Sequence, residues 1–155
     1  MYNHAPADYK CPICLGIEAV KSEHTLILPA DIVYRDAQAA VIINSFSLGG
    51  MTGNALIVPI AHHENMYDLP AETGHYIFEL AQKVAIAMKQ AYGCDGITTM
   101  QCNEPAGGQH AFHYHHHVMQ RNEDDNFFER LTQKEIADPG QRAEYARKLG
   151  AALQG

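Results

Sequence analysis

No apolar run in this chain approaches the roughly 20 residues that a membrane-spanning helix needs, so no membrane partner is expected. The first residues, MYNHAPADYKCPIC, lack the basic start and apolar stretch of a secretory signal, and the expected location is therefore cytoplasmic. Positive charge is also scarce. Lys and Arg number 11 against 18 Asp and Glu, for a net charge of −7. Binding to nucleic acid without regard to sequence runs on Lys and Arg neutralising phosphates, so nucleic acid is not an expected partner. There is no internal repeat and no low-complexity linker. Apolar residues make up 46% and charged residues 19% of 155, a composition that excludes disorder and suits one domain with its own core. Histidine is what the chain has in excess. Of ten, five fall between His110 and His117, where an even spread would put fewer than one.

The runs of residues predict an α+β domain. Residues 31–36 (DIVYRD) and 39–45 (AAVIINS) are rich in β-branched side chains and read as a hairpin. Residues 54–60 (NALIVPI) read as a third strand that Pro59 either ends or confines to an edge. Residues 71–92 read as the main helix. Ile77, Ala81, Val84, Met88 and Ala91 form one stripe, with Pro70 at the start and Gly93 just past the end. Further strands are expected at 97–103 and 110–119, with a loop at 104–108 between them. A second helix is expected from Pro139 to about Gln154, capped by Asp138. The whole reads as an antiparallel sheet of about five strands with helices on one side.

Side chains alternate along a strand, so His113, His115 and His117 would share one face, opposite Phe112, Tyr114, His116 and Val118. The row could be a solvated face or a three-imidazole zinc site with an open position. It is internal and interrupted, unlike a purification tag. Over four residues of strand the outer two imidazoles stand about 13 Å apart, which is wide for one ion. An extended phosphoanhydride or phosphoramidate suits the row better. A neutral imidazole is a good nucleophile toward phosphorus, and its neighbours can neutralise oxygens or protonate a departing group.

The segment Gly108-Gln109-His110-Ala111-Phe112-His113-Tyr114-His115-His116-His117-Val118-Met119 resembles the signature of the histidine triad (HIT) family. So do Asn44 in VIINS, residues 52–69 (TGNALIVPIAHHENMYDL) and Asn103, in the family's order. The resemblance covers roughly residues 11–121. It implies a single HIT domain over 1–155, with a core of about 11–121 and a C-terminal helical tail of 122–155. It implies a hydrolase or transferase acting on dinucleoside polyphosphates or nucleoside phosphoramidates through a covalent nucleotidyl-histidine at His115. His117 and Gln109 would be catalytic with it. Asn44, Asn103, Gly108 and His110 would bind the nucleotide, and the protein would be a homodimer. Two rival readings are a zinc-dependent hydrolase with its metal on the histidine strand and a nucleotide-binding regulator with weak turnover. Three residues depart from the family pattern: Asn54, His116 and Gln120.

Cys11-Pro12-Ile13-Cys14 is a C-x-x-C motif, which in a cytosolic protein reads as a metal or redox site. A thioredoxin-type pair follows a strand, and no strong strand precedes Cys11. Two reduced thiols packed in a small core would be the bland account. The zinc-bearing HIT proteins imply a Cys₂His₂ set here of Cys11, Cys14, His62 and His113, with His63 as the rival to His62. Such a closed shell would make Zn²⁺ structural.

Overall fold

A computed structural model describes residues 2–155. A short helix, α1 (Pro12–Ile17), opens the chain. Strands β1 (Ile32–Arg35) and β2 (Ala39–Ile43) form the expected hairpin. Its turn is held by Asp36, whose Oδ1 accepts from the backbone N–H of Gln38 at 2.7 Å and of Ala39 at 2.8 Å. Then come β3 (Phe46–Leu48), β4 (Ala55–Pro59), the long helix α2 (Ala71–Tyr92), β5 (Gly96–Gln101) and β6 (His116–Arg121). The chain closes with α3 (Phe127–Arg130), β7 (Lys134–Ile136) and α4 (Pro139–Gln154).

The main sheet is antiparallel and five-stranded, in the order β1-β2-β4-β6-β5. Every residue of β2 and of β4 is buried, because helices cover both faces at the centre. On one face, Ile77, Val84 and Met88 of α2 and Leu149 of α4 pack on Val41, Ile43, Ile57 and Val118. On the other, Ile13 and Ile17 of α1 pack on Ala40, Ile42, Leu56 and Val58. The expectation of helices on one side alone is corrected here. Six residues around the Cys pair carry too little periodicity to be read as a helix, yet they bury two isoleucines. Gly16 brings this helix close to the following segment: a Cβ there would collide with the Cβ of Ile27. The two longer helices match their predicted bounds. Gly93 ends α2 in the left-handed conformation, and the Asp138 side chain caps α4 by accepting from Gln141 N–H at 2.9 Å.

The expected strand 110–119 is shorter and later than read. Only His116–Arg121 is in the ladder. Pro59 is the reason. Its position in the central β4 would be the next but one beyond the Ile57–His116 pair, and it has no N–H to offer. Residues before His116 leave the sheet and bond elsewhere: Tyr114 N–H to His63 O at 2.6 Å, and Phe112 N–H to the Tyr9 hydroxyl at 2.9 Å. The tail 122–155, expected to be helical, also holds a strand and a buried aromatic. Strand β7 pairs with β3 in a separate two-stranded sheet, and Phe127 is buried with Leu48 and Met119.

Candidate active site and metal centre

The two ends of the main sheet's second face are walled differently. Helix α1 and Ile27 stand over β2 and β4, while Phe127 of α3 and the following Leu131 pack with Met119 of β6 and Met100 of β5. Between these walls lies a cavity of about 620 Å³. Its floor includes Leu56, Met100, His115 and His117, where Leu56 and Met100 are the ladder partners of His117 on either side. Apolar wall comes from Ile13, Leu26 and Ile27, and polar wall from Asn44, Gly108 and His110.

His113 and His115 are fixed in opposite senses by backbone carbonyls. His115 Nδ1 lies 2.7 Å from His113 O. A carbonyl can only accept, so Nδ1 carries the proton and Nε2 keeps a free lone pair. His113 Nε2 lies 2.9 Å from Pro59 O, so here Nε2 is the donor and Nδ1 keeps the lone pair. That Nδ1 faces Cys11 Sγ at 3.5 Å and Cys14 Sγ at 3.4 Å. His62 Nδ1 is 3.3 Å from Cys14 Sγ.

The four donor atoms of Cys11, Cys14, His62 and His113 lie within 4.8 Å of one another. A tetrahedral zinc with bonds of about 2.0 to 2.3 Å separates its ligands by about 3.3 to 3.8 Å, so the three close separations already have the edge length of such a shell. The carbonyl that orients His113 is the kind of outer partner that metal-bound histidines use. Without a cation, burial and the neighbouring Cys11 sulfur push the Cys14 thiol up to about 12. A metal ion would reverse that balance. His62, not His63, completes the set. The backbone of His63 instead receives Tyr114 N–H. Among the described residues no other group of three or more His, Cys, Asp or Glu side chains converges in this way, and His113 does not line the cavity with His115 and His117.

His115 and His117 are each 8% exposed, with ring centroids 5.0 Å apart. Burial holds both imidazoles neutral: His117 is pulled down to about 3, and His115 is lowered for the same reason. Asn44 is buried beside them, its Oδ1 accepting from Phe46 N–H at 3.1 Å. Two of the sequence-derived residues stand outside the cavity wall. The Gln109 amide accepts from Glu104 N–H at 2.8 Å and donates to Ala111 O at 3.1 Å and to Glu64 O. The Asn103 amide accepts from Met66 N–H at 2.8 Å and donates to Gln101 at 2.7 Å. Both are spent on the loops that flank the site.

The departures are structural as well. Asn54 is fully buried and donates to Met51 O at 3.1 Å, and Gln120 donates to Thr52 O at 2.7 Å. His116 is half-buried on the other face of the sheet, with no partner for its Nε2.

The HIT domain family model matches residues 25–124, well over half of the chain. The chain belongs to the HIT family. Among curated relatives, protein hit of Bacillus subtilis is 29% identical over 94 residues, which are 61% of this chain and 63% of that protein, a little under two thirds of its length. A Hit-like protein from Bartonella henselae has a similar structure, with 32% identity and a TM-score of 0.71 over 79% of this chain and 85% of that one. A zinc-bound histidine triad family protein from Mycobacterium smegmatis has 26% identity and a TM-score of 0.74 over 94% of both chains.

Several cavity residues escaped the sequence reading. His24 and Leu26 carry no pattern, and Leu131, Thr132 and Lys134 lie in the stretch before the second helix, which carries no motif. No helix among the described residues is long and apolar enough to cross a membrane.

Burial of neutral imidazoles has a measurable consequence for stability. The His117 ring binds a proton below about 3 when folded but near 6.5 when unfolded, so between those values the unfolded chain holds the extra proton. Stability is then full above pH 6.5 and falls as the pH drops through that window, by up to about 1.4 kcal/mol per unit from this ring. Urea unfolding at pH 7.5 and 5.5 should show wild type losing more stability on acidification than His117→Phe, by about one proton's worth of slope. Equal slopes would show that His117 is not held neutral.

Proposed function

We propose that this HIT protein cleaves nucleotidyl groups from phosphoanhydrides or phosphoramidates through a covalent intermediate on His115. The observation that carries this reading is the 2.7 Å bond from His115 Nδ1–H to His113 O, which leaves a neutral Nε2 lone pair beside the cavity. In the first step Nε2 forms a bond to the α-phosphorus. The bond from phosphorus to the departing oxygen or nitrogen breaks, and its electron pair leaves with that group. Water then attacks the same phosphorus and gives up a proton to bulk solvent, the N–P bond breaks, its electrons return to Nε2, and a nucleoside monophosphate leaves. A departing phosphate needs no proton at neutral pH. A departing amine does, and we assign that proton to His110, exposed and lining the cavity.

His117, neutral and adjacent, would donate to a non-bridging oxygen as charge builds there. Asn44 would meet the ribose hydroxyls and Ile13, Leu26 and Ile27 the base. Gly108, at φ +87° and without a side chain, would let phosphate approach the backbone closely, its own N–H being given to Pro105 O. Gln109 and Asn103 act as positioning residues in the adjoining loops. Zinc would be held by Cys11, Cys14, His62 and His113, anchoring His113 and through its carbonyl the ring of His115. The metal in this reading is structural, and the whole chain works as one domain in a cytoplasmic homodimer. The experiment is to quench the enzyme during turnover of a labelled dinucleoside triphosphate under alkaline denaturing conditions: label retained on the protein supports the reading, and its absence under saturating substrate counts against it.

A further inference from the structure

The cavity around His115 and His117 has one lysine and no arginine in its wall, and the lysine is Lys134. No aspartate or glutamate lines the same space. Lys134 forms no ion pair among the described residues; the four present are His4–Glu104, Arg121–Asp125, Arg142–Asp31 and Lys148–Glu144. In a chain with a net charge of −7, a cation left without an acidic partner at the wall of a cavity is conspicuous. The residue lies beyond residue 124, where the match to the family model ends.

The tail is built to hold it there. Strand β7 is only three residues long and entirely exposed, yet it is registered on β3 by Phe46–Ile136, Ser47–Glu135 and Leu48–Lys134 pairs. A further bond from Gly49 N–H to Gln133 O, at 3.0 Å, fixes the turn before it. Alternation along β7 sends Glu135 to the other side of the ribbon from Lys134. The Lys134 ammonium rests over the Phe46 ring, 4.0 Å from its centroid, and Phe46 also lines the cavity. The contact restrains the long side chain without using its three N–H donors. Its charge is felt by both catalytic rings, lowering the basicity of each.

We propose that Lys134 binds the phosphate chain beyond the scissile phosphorus, so that the preferred substrate of this site is a nucleotide whose departing group is itself a phosphate. A phosphoramidate, whose departing group is an amine, offers no anion at that point, and a cation there does nothing to hold it. This rests on the covalent reading above for the chemistry, and on the cavity alone for the binding. Lys134 does not react; it selects what may leave.

The test compares diadenosine triphosphate with adenosine 5′-phosphoramidate. In Lys134→Ala the ratio of their kcat/KM values should fall roughly 10- to 100-fold, as expected for losing a charge-assisted hydrogen bond, with KM for the triphosphate rising. Lys134→Arg should keep most of the ratio. A merely structural lysine would lower both substrates together, and a ratio within about twofold of wild type would overturn the proposal. Binding separates this failure from failure of the covalent reading. Calorimetry with AMP and with the non-hydrolysable α,β-methylene analogue of ADP should show wild type favouring the diphosphate and Lys134→Ala losing that preference. If wild type turns over neither substrate but shows this shift, the covalent reading falls and the Lys134 assignment stands. No shift in binding overturns the assignment whatever the turnover.

Discussion

Replacement of His115 by alanine should lower kcat by roughly 10⁴-fold or more while leaving the fold and nucleotide affinity nearly intact. The size follows from what is removed. The N–P bond has no substitute in the cavity: the Nδ1 lone pair of His113 faces the Cys pair, and the other buried ring, His117, is a separate group 5.0 Å away. The fold should survive because Tyr114 and Val118 carry the packing against α2, and His116 and His117 carry the strand pairing. Circular dichroism and equilibrium binding of AMP provide the controls. Residual turnover within tenfold of wild type, in a folded variant, would mean that another group attacks phosphorus.

The second large effect is expected from Cys11→Ser. A serine oxygen is a poor zinc ligand, and the position is buried against His113. Metal content should fall from about one zinc per chain to a small fraction. Because zinc affinity in such shells is coupled to folding, the melting temperature should drop by about 10 °C or more. Activity should fall as well, though less than in His115→Ala. The route is short: in the proposed site the metal shell would fix His113, whose carbonyl accepts the Nδ1–H of His115. Wild type that purifies without zinc and melts at the same temperature as the serine variant would remove the metal from the account.

These two effects involve residues that were legible in the sequence for different reasons. The helices were legible because their stripes and caps are local: Ile77 to Met88 repeats at helical spacing, and Gly93 and Asp138 mark ends by their own backbone chemistry. The hairpin of β1 and β2 was legible through its β-branched runs. The triad strand is shorter than its residues suggest because its limit is set by a proline on the neighbouring strand, Pro59 on β4. Strand β7 was missed because three exposed residues carry no periodicity, and only pairing with β3 gives them structure.

The site divides the same way. His113, His115 and the Cys pair stand out by type and spacing. Gln109 and Asn103 stand out too, but their type could not say that their amides are committed to Glu104, Met66 and Gln101. His24 and Lys134 had no signal at all. Lys134 reaches the cavity through the pairing of β7 with β3, which one sequence does not record.

The most direct test is the location of the adduct that forms during turnover. Wild-type protein trapped with a nucleotide substrate and digested at alkaline pH should yield a single modified peptide, with the nucleotidyl group on Nε2 of His115. A group found on His117 or His110, or nucleoside monophosphate that forms in a burst with no modified peptide at any time, would contradict the account.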